Sequence, residues 1–139
     1  LHKPVFPTDS GKAKFIYHPI PKTRPLEKNE FQLLSVRSEG QFNTVVYEDK
    51  DLYRGQERRD VVLMNEKDMA SISLIKNCPV VVKSKTGALH NILARPFDIK
   101  RGAVLMYYPE VNSLIGRAVD PLSKTPGFKS TIVAISGME

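Results

Sequence analysis

Two polar stretches, far apart in the chain, carry the side chains best suited to hold a flat, negatively charged ligand. The first stretch, SVRSEGQFNT, covers residues 35–44 and surrounds Gly40. Its hydrogen-bonding side chains are Arg37, Gln41, Asn43 and Thr44. Glycine permits a tight backbone and close approach of a ligand, and the Arg37 guanidinium can bind a phosphate or carboxylate through two parallel hydrogen bonds. From composition alone, a solvated loop in which Arg37 pairs with Glu39 is the commoner outcome.

The second stretch, YYPEVNSLIGRAVDPLSKTPGFKS, covers residues 107–130. Pro109 at a first helical turn predicts a short helix, and Asn112 within it can offer both a donor and an acceptor to a heterocycle. Bonding of Asn112 to a nearby carbonyl is equally common. The loop that follows delivers Phe128, with a flat aromatic face, and Lys129, with a mobile cation, which suit a ring joined to phosphates. The alternatives are a core position for Phe128 and a solvent-facing position for Lys129.

A third stretch, YRGQERRD at residues 53–60, concentrates positive charge. Arg54, Arg58 and Arg59 stand near Tyr53, a combination that can contact phosphates or stack on a base. Because the stretch also contains two acidic residues, it predicts a solvated loop or a domain-interface patch. The whole chain has 21 Lys and Arg against 15 Asp and Glu, a net charge of +6, so a basic barrel that binds nucleic acid is an alternative.

No constellation in the chain predicts catalysis by these residues alone. The phosphate loop GxxxxGKS/T, the dinucleotide fingerprint GxGxxG and the nucleophile elbow GxSxG are all absent. His2, His18 and His90 stand singly, and the single cysteine, Cys78, has no neighbouring histidine. These features rank a self-sufficient hydrolase last, exclude an internal disulfide and a metal cluster, and predict a cytoplasmic chain with an inert, buried thiol. No apolar run reaches the ~18 residues of a membrane span.

The elements that must position these stretches are short strands. Residues 1–30 contain five of the ten prolines, which predicts a lead-in from a preceding domain, with a turn at 9–11 and a short strand near 13–17. From Phe31 onwards the strand-like segments are FQLLSVR, VVLM, PVVVKS, ALHNILAR, GAVLMYY and STIVAI. The third and fourth predict a hairpin around Thr86–Gly87, and Asn65 predicts the N-cap of a short helix. Short strands with frequent turns predict a mainly β barrel domain over residues 31–139, with one or two short helices.

Four segments together carry a family resemblance. FPTDSGKAKF (6–15), LLSVRSEGQFNT (33–44), VVLMNEKDMASISLI (61–75) and the stretch at 107–130 follow one another over nearly the whole chain. In that order they resemble the C-terminal molybdopterin-dinucleotide-binding domain of the molybdopterin oxidoreductases, in particular that of the alpha subunit of formate dehydrogenases. The resemblance implies a six-stranded double-psi β-barrel that holds one half of a bis-(molybdopterin guanine dinucleotide) cofactor.

The resemblance also implies which positions line the dinucleotide. Carried over by motif, these are Arg37, Gln41, Asn43, Thr44, Tyr108, Asn112, Phe128 and Lys129. The two loops that bear them should therefore meet at one rim of the barrel. Related formate dehydrogenases often have a histidine where Gln41 stands, and KNCPV at 76–80 replaces their acidic, glycine-containing turn.

In enzymes of this kind the catalytic residues, the iron-sulfur cluster and the binding of molybdenum or tungsten depend on domains that precede this one. Leu1 is not an initiator methionine, so we expect the chain to be an excerpt of a longer polypeptide. The expected partners are the pterin-guanine dinucleotide and the preceding domains of the same polypeptide. By itself the excerpt should fold, bind the dinucleotide weakly at best and not oxidise formate.

Overall fold

Six strands form a closed barrel in the computed structural model, which describes residues 3–20, 22, 24–44 and 46–138. Within these residues the strands are β1 (Glu30–Val36), β2 (Val61–Met64), β3 (Pro79–Lys83), β4 (Ala88–Pro96), β5 (Ala103–Tyr107) and β6 (Thr131–Gly137). One α-helix, α1 (Glu66–Ser71), follows β2, and 3₁₀-helices cover Leu52–Arg54 and Glu110–Leu114. The sequence predicts this mainly β fold with short helices, and the structure confirms it.

The connection of the strands identifies the type of barrel. Their order is β1-β5-β2-β4-β3-β6, and β6 closes the barrel against β1. β1 pairs with β5 and β2 with β4 in parallel, while the other four pairings are antiparallel. If β1 is exchanged with β4, β2 with β5 and β3 with β6, the strands have the same order around the closed barrel, read in the opposite direction. The barrel therefore consists of two interlocked halves with the same connectivity, which confirms the predicted double-psi β-barrel.

Alternate residues of the strands fill the barrel interior, as the two-residue period of a strand requires. Leu33 of β1, Val62 of β2 and Val104 of β5 are fully buried members of this main core. β2 is buried on both faces, because Val61 lies in a second cluster that also contains Tyr107 at the end of β5. The second cluster fixes the end of β5 from outside the barrel, at the point where the second polar stretch begins.

Three local predictions can be compared with the structure. The Oδ1 of Asn65 accepts a hydrogen bond of 2.9 Å from the backbone N–H of Lys67, which confirms this residue as the N-cap of α1. β3 and β4 form the predicted hairpin, closed by a 2.8 Å bond from Ser84 N to Gly87 O. The helix predicted after Pro109 is present as the 3₁₀-helix Glu110–Leu114.

The described residues before β1 contain no helix or strand. The predicted turn is confirmed, because Gly11 N donates to Thr8 O at 2.9 Å and Gly11 has a φ of 63°. The predicted strand near residues 13–17 is wrong, since a closed barrel leaves no free edge for it to pair with, and Phe15 is 99% exposed. The predicted lead-in also includes Leu1, His2, Pro21 and Thr23, which lie outside the described residues. Its origin in a preceding domain stays a prediction.

Candidate functional site

The two parallel strands β1 and β5 end at the same rim of the barrel. Val36 lies opposite Tyr107 in the register, and the backbone N–H of Tyr108 donates to Val36 O at 2.8 Å. Parallel pairing brings the carboxyl ends of both strands together. The loop that follows Val36 and the turn that follows Tyr107 therefore leave the barrel side by side.

The start of β6 meets this rim as well, because β6 runs antiparallel to β1. Ser35 N donates to Phe128 O at 3.1 Å, and the side-chain amide of Gln32 donates to Lys129 O at 2.7 Å. The ammonium of Lys129 in turn donates to Ser35 O. The structure thus places the segment around Lys129 beside the loop that contains Gly40, as the sequence predicts.

These three chain segments, together with Arg54 of the 3₁₀-helix Leu52–Arg54, line a cleft of about 610 Å³. Its lining residues are Ser35, Val36, Arg37, Arg54, Tyr108, Phe128 and Lys129. Four of the predicted site residues, Arg37, Tyr108, Phe128 and Lys129, are in this set. Tyr108 and Phe128 contribute aromatic surfaces, and the Arg37 guanidinium carbon lies 5.7 Å from the centroid of the Tyr108 ring. The cleft combines flat surfaces with cationic groups.

The charges that line the cleft are all positive. Burial, and then the nearby Arg37 and Arg54, lower the pKa of Lys129. Arg54 is held in place by hydrogen bonds of 2.7 Å to Asp51 Oδ2 and 3.1 Å to Arg37 O. Among the residues that the structure describes, no acidic side chain lines the cleft. Three cations that repel one another at a concave surface favour an anionic ligand, since its negative charge removes the repulsion.

The other four predicted site residues do not line this cleft. Gln41 is buried: its Oε1 accepts from Ser38 N at 3.3 Å, and its Nε2 donates to Tyr108 O at 3.0 Å. It therefore joins the first loop to the turn after β5. Asn43 and Asn112 are exposed, and Thr44 Oγ1 accepts from the backbone N–H of Val46 at 3.0 Å. The convergence of the loops brings four of the eight predicted residues into one cleft. Gln41 supports the loops behind the cleft, and the other three residues do not line it.

The stretch at residues 53–60 is only in part the predicted solvated loop, because Tyr53 and Arg58 are exposed whereas Arg59 is not. Arg59 is buried with a side chain 4% exposed, and it forms an ion pair of 2.6 Å with Glu110. Arg54 lines the cleft, while exposed Arg58 pairs with Asp60. The prediction is wrong for Arg59 because β2 pairs antiparallel with β5, which brings the residues before β2 next to those after β5. Since Arg58 and Arg59 are paired with Asp60 and Glu110, this stretch offers little unpaired positive charge, and the nucleic-acid alternative is not favoured.

Two further features concern metal binding and membrane spanning. Over the part of the chain that the structure describes, no three His, Cys, Asp or Glu side chains are grouped to hold a metal ion. No helix in those ranges has the length and apolar character needed to cross a membrane. Cys78, predicted to be buried, is half-buried and packs against the main core.

A sequence comparison decides the family. The model of a family described as the molydopterin dinucleotide binding domain matches residues 31–132. The chain belongs to this family. The matched range begins one residue after the start of β1 and ends within β6, so it coincides with the barrel.

Longer proteins contain regions similar to this molydopterin-binding domain. An uncharacterized oxidoreductase of Mycobacterium tuberculosis is 31% identical over 139 residues, covering 93% of this chain and 17% of that protein. Protein YdeP of Escherichia coli is 32% identical over 149 residues, covering 92% of this chain and 18% of that protein. The chain thus spans less than a fifth of the length of these relatives.

A solved structure supports the fold of the domain. Acetylene hydratase from Pelobacter acetylenicus superimposes with a TM-score of 0.58 over 78% of this chain and 18% of that chain. The sequences are 15% identical, so this likeness concerns the fold alone.

Sequence reasoning missed the residues behind the cleft of this domain. Asp51 is 1% exposed and accepts hydrogen bonds from Arg54 and from the phenol of Tyr107, both at 2.7 Å. Burial, and then the bond to Asp51, raise the pKa of Tyr107 far above its ordinary value. The one local signal was Asp51 as the N-cap of the 3₁₀-helix at Leu52–Arg54, where it accepts from Tyr53 N at 3.1 Å. That signal predicts a turn and contains no information about Tyr107.

Proposed function

We propose that the cleft binds one pterin-guanine dinucleotide of a bis-(molybdopterin guanine dinucleotide) cofactor, in a formate dehydrogenase-like oxidoreductase. The cleft is the single observation that carries this proposal. A pterin and a guanine are flat rings joined through a pyrophosphate, so a site for either half needs aromatic surfaces beside cations. Tyr108 and Phe128 provide the surfaces, and Arg37, Arg54 and Lys129 provide the cations.

The residues of the cleft fit a dinucleotide in charge as well as in shape. Burial, and then the nearby Arg37 and Arg54, lower the pKa of Lys129, so positive charge is concentrated in the cleft even though Arg54 is paired with Asp51 behind it. A pyrophosphate supplies a counter-charge. Backbone groups of Val36 and Tyr108 hold the two loops in register, which keeps the site formed before the ligand arrives. When bound, the pterin group supplies sulfur ligands for molybdenum or tungsten.

Within such an enzyme, this chain has the role of a cofactor clamp. The family resemblance to formate dehydrogenases and the oxidoreductase name of one relative support an oxidoreductase as the parent protein. Catalytic residues and iron-sulfur ligands then belong to other domains of the parent, and those domains are the chain's protein partners. The chain alone accordingly binds without turnover.

The test is an NMR titration of the ¹⁵N-labelled chain. GDP contains the guanosine and the two phosphates of the dinucleotide, and CDP differs from it only in the base. We expect GDP to shift the backbone amides of Arg37, Tyr108 and Lys129 with a Kd of roughly 1 mM, about −4 kcal/mol, which a titration to roughly 10 mM resolves. The metal-free molybdopterin guanine dinucleotide should bind more tightly, because it occupies more of the cleft.

Two comparisons make the titration specific. Arg37→Gln should weaken the binding of GDP, whereas Lys67→Gln on α1 should not. α1 follows Met64, which pairs with Val104 near the start of β5, at the opposite end of that strand from the cleft. CDP that shifts the same amides with the same affinity would contradict the guanine form of the cofactor. Oligothymidine that displaces GDP, or amides around the cleft that do not respond to any nucleotide, would refute the proposal.

A further inference from the structure

The side chain of Arg59 forms several hydrogen bonds close to the cleft, although Arg59 does not line it. Its Nε donates to Glu110 Oε1 at 2.6 Å, and its Nη1 donates to Ser38 Oγ at 2.6 Å. Its Nη2 donates to Gln41 Oε1 at 3.2 Å and to Tyr108 O. All three nitrogens of one guanidinium are thus used by groups of two separate loops.

Two tyrosine rings enclose this guanidinium. The Arg59 guanidinium carbon lies 3.7 Å from the centroid of the Tyr47 ring and 4.9 Å from that of Tyr107. Stacking on aromatic faces adds to the hydrogen bonds and excludes water from them. Tyr107 belongs to β5, so the stack also fixes Arg59 relative to the barrel wall.

We infer that Arg59 is a positioning residue, which orders the first loop against the turn after β5 and so sets the separation of Arg37 and Tyr108 across the cleft. The inference rests on the proposed function, because the positioned groups are those assigned to the dinucleotide. Arg59 itself is too deeply buried to touch a ligand in the cleft. It acts through Gln41 and the carbonyl of Tyr108, which share its Nη2.

The planar fork of the guanidinium is essential to this role. A lysine carries the same charge, but its three donors radiate from one nitrogen and cannot reach both loops and Glu110 in one plane. Arg59→Lys should therefore keep the charge and lose the positioning. Arg58 is the matched control, since it is the neighbouring residue, is exposed and pairs with Asp60, which belongs to neither loop.

The experiment compares the chain with Arg59→Lys, Arg59→Ala and Arg58→Lys. Amide hydrogen exchange should rise in both Arg59 variants at residues 38–41 and 108–112 and stay unchanged in the β3–β4 hairpin. The Kd for GDP should rise roughly tenfold or more in the Arg59 variants, the scale seen when groups that orient ligand-binding residues are removed. Arg58→Lys should resemble the wild type in both measurements.

Chemical rescue tests the fork directly. Arg59→Ala leaves a space bordered by Tyr47, Tyr107 and Glu110, so guanidinium chloride at low millimolar concentration should restore GDP binding, while sodium chloride at equal ionic strength should not. If Arg59→Ala does not fold, Glu110→Gln weakens the same anchor and should give the same pattern with smaller amplitude.

The outcomes separate this inference from the proposed function. GDP affinity in Arg59→Lys equal to that of the wild type would overturn the inference and leave the proposed function standing. Exchange that rises equally in all strands would also overturn it, since Arg59 would then support only the barrel. If the wild type binds no nucleotide, the proposed function fails, and the selective or uniform exchange pattern still decides whether Arg59 orders the two loops.

Discussion

Tyr107 and Asp51, 56 residues apart in the chain, are joined by a hydrogen bond of 2.7 Å from the phenol to Oδ2. The same carboxylate accepts a 2.7 Å bond from Arg54, which lines the cleft. A side chain on the outer face of the barrel thereby holds a cation that faces the proposed ligand. The cleft depends on this second layer of residues as much as on those that line it.

Tyr107→Phe removes the donor and leaves the ring. Asp51 then keeps a buried oxygen with one partner fewer, which we expect to lower the free energy of unfolding by about 1–3 kcal/mol. Urea denaturation measures this change. Tyr17→Phe is the control, because Tyr17 is 87% exposed and its substitution should have no effect. A Tyr107→Phe chain as stable as the wild type would mean that water replaces the phenol at Asp51.

The pH dependence of the free energy of unfolding should reflect the ionisation of Asp51. Burial alone would raise the pKa of this carboxyl group, but hydrogen bonds from Arg54 and Tyr107 outweigh burial, and the pKa is lowered. A carboxylate with a lowered folded pKa contributes stability above its unfolded pKa of about 3.9, and this contribution is lost as the pH falls through the folded value. Asp51→Asn should therefore be less stable at pH 7, with a deficit that shrinks below about pH 4. Unfolding curves at a series of pH values test this, and a deficit that is constant with pH would contradict it.

Lys129→Met should change affinity and stability in different directions. The pKa of Lys129 is lowered by burial and then by Arg37 and Arg54, so its charged form is disfavoured in the folded chain. The folded wild type accordingly gains stability as the pH rises from the lowered pKa towards the ordinary one, because the unfolded state binds more protons there. Removing the charge should leave stability at pH 7 equal or higher while weakening the binding of GDP. A loss of stability without a loss of affinity would show that Lys129 supports the fold and not the ligand.

Gly87 and Gly116 provide a matched pair at the contact between the β3–β4 hairpin and the 3₁₀-helix Glu110–Leu114. A Cβ on Gly87 would lie 2.6 Å from Ser113 O, a backbone atom, whereas one on Gly116 would lie 3.9 Å from the nearest atom, Thr86 Cγ2. Gly87→Ala should therefore cost about 1–3 kcal/mol of stability, and Gly116→Ala should cost much less. Thermal and urea unfolding of the two variants measure the difference. Equal effects would mean that the hairpin moves away from Ser113 without cost.

Several features of the fold could be predicted because their causes are local. The N-cap at Asn65, the turn at Gly11 and the β3–β4 hairpin each depend on residues within a few positions of one another. The alternation of apolar residues identifies the strands in the same way. The strand predicted near residues 13–17 failed because a strand needs a partner, and the closed barrel offers none to this segment.

The sequence by itself determined the local elements, the family and four of the cleft residues, Arg37, Tyr108, Phe128 and Lys129. Only the tertiary structure decided which strands pair, and with it the position of every group that reaches the cleft from a distance. Gln32 bonds to Lys129 across 97 residues, and Arg59 bonds to Glu110 across 51. A local sequence pattern cannot predict contacts between residues so far apart in the chain. Arg59 is buried because antiparallel pairing of β2 with β5 places it beside Glu110, and the same three arginines on an unpaired loop would face water.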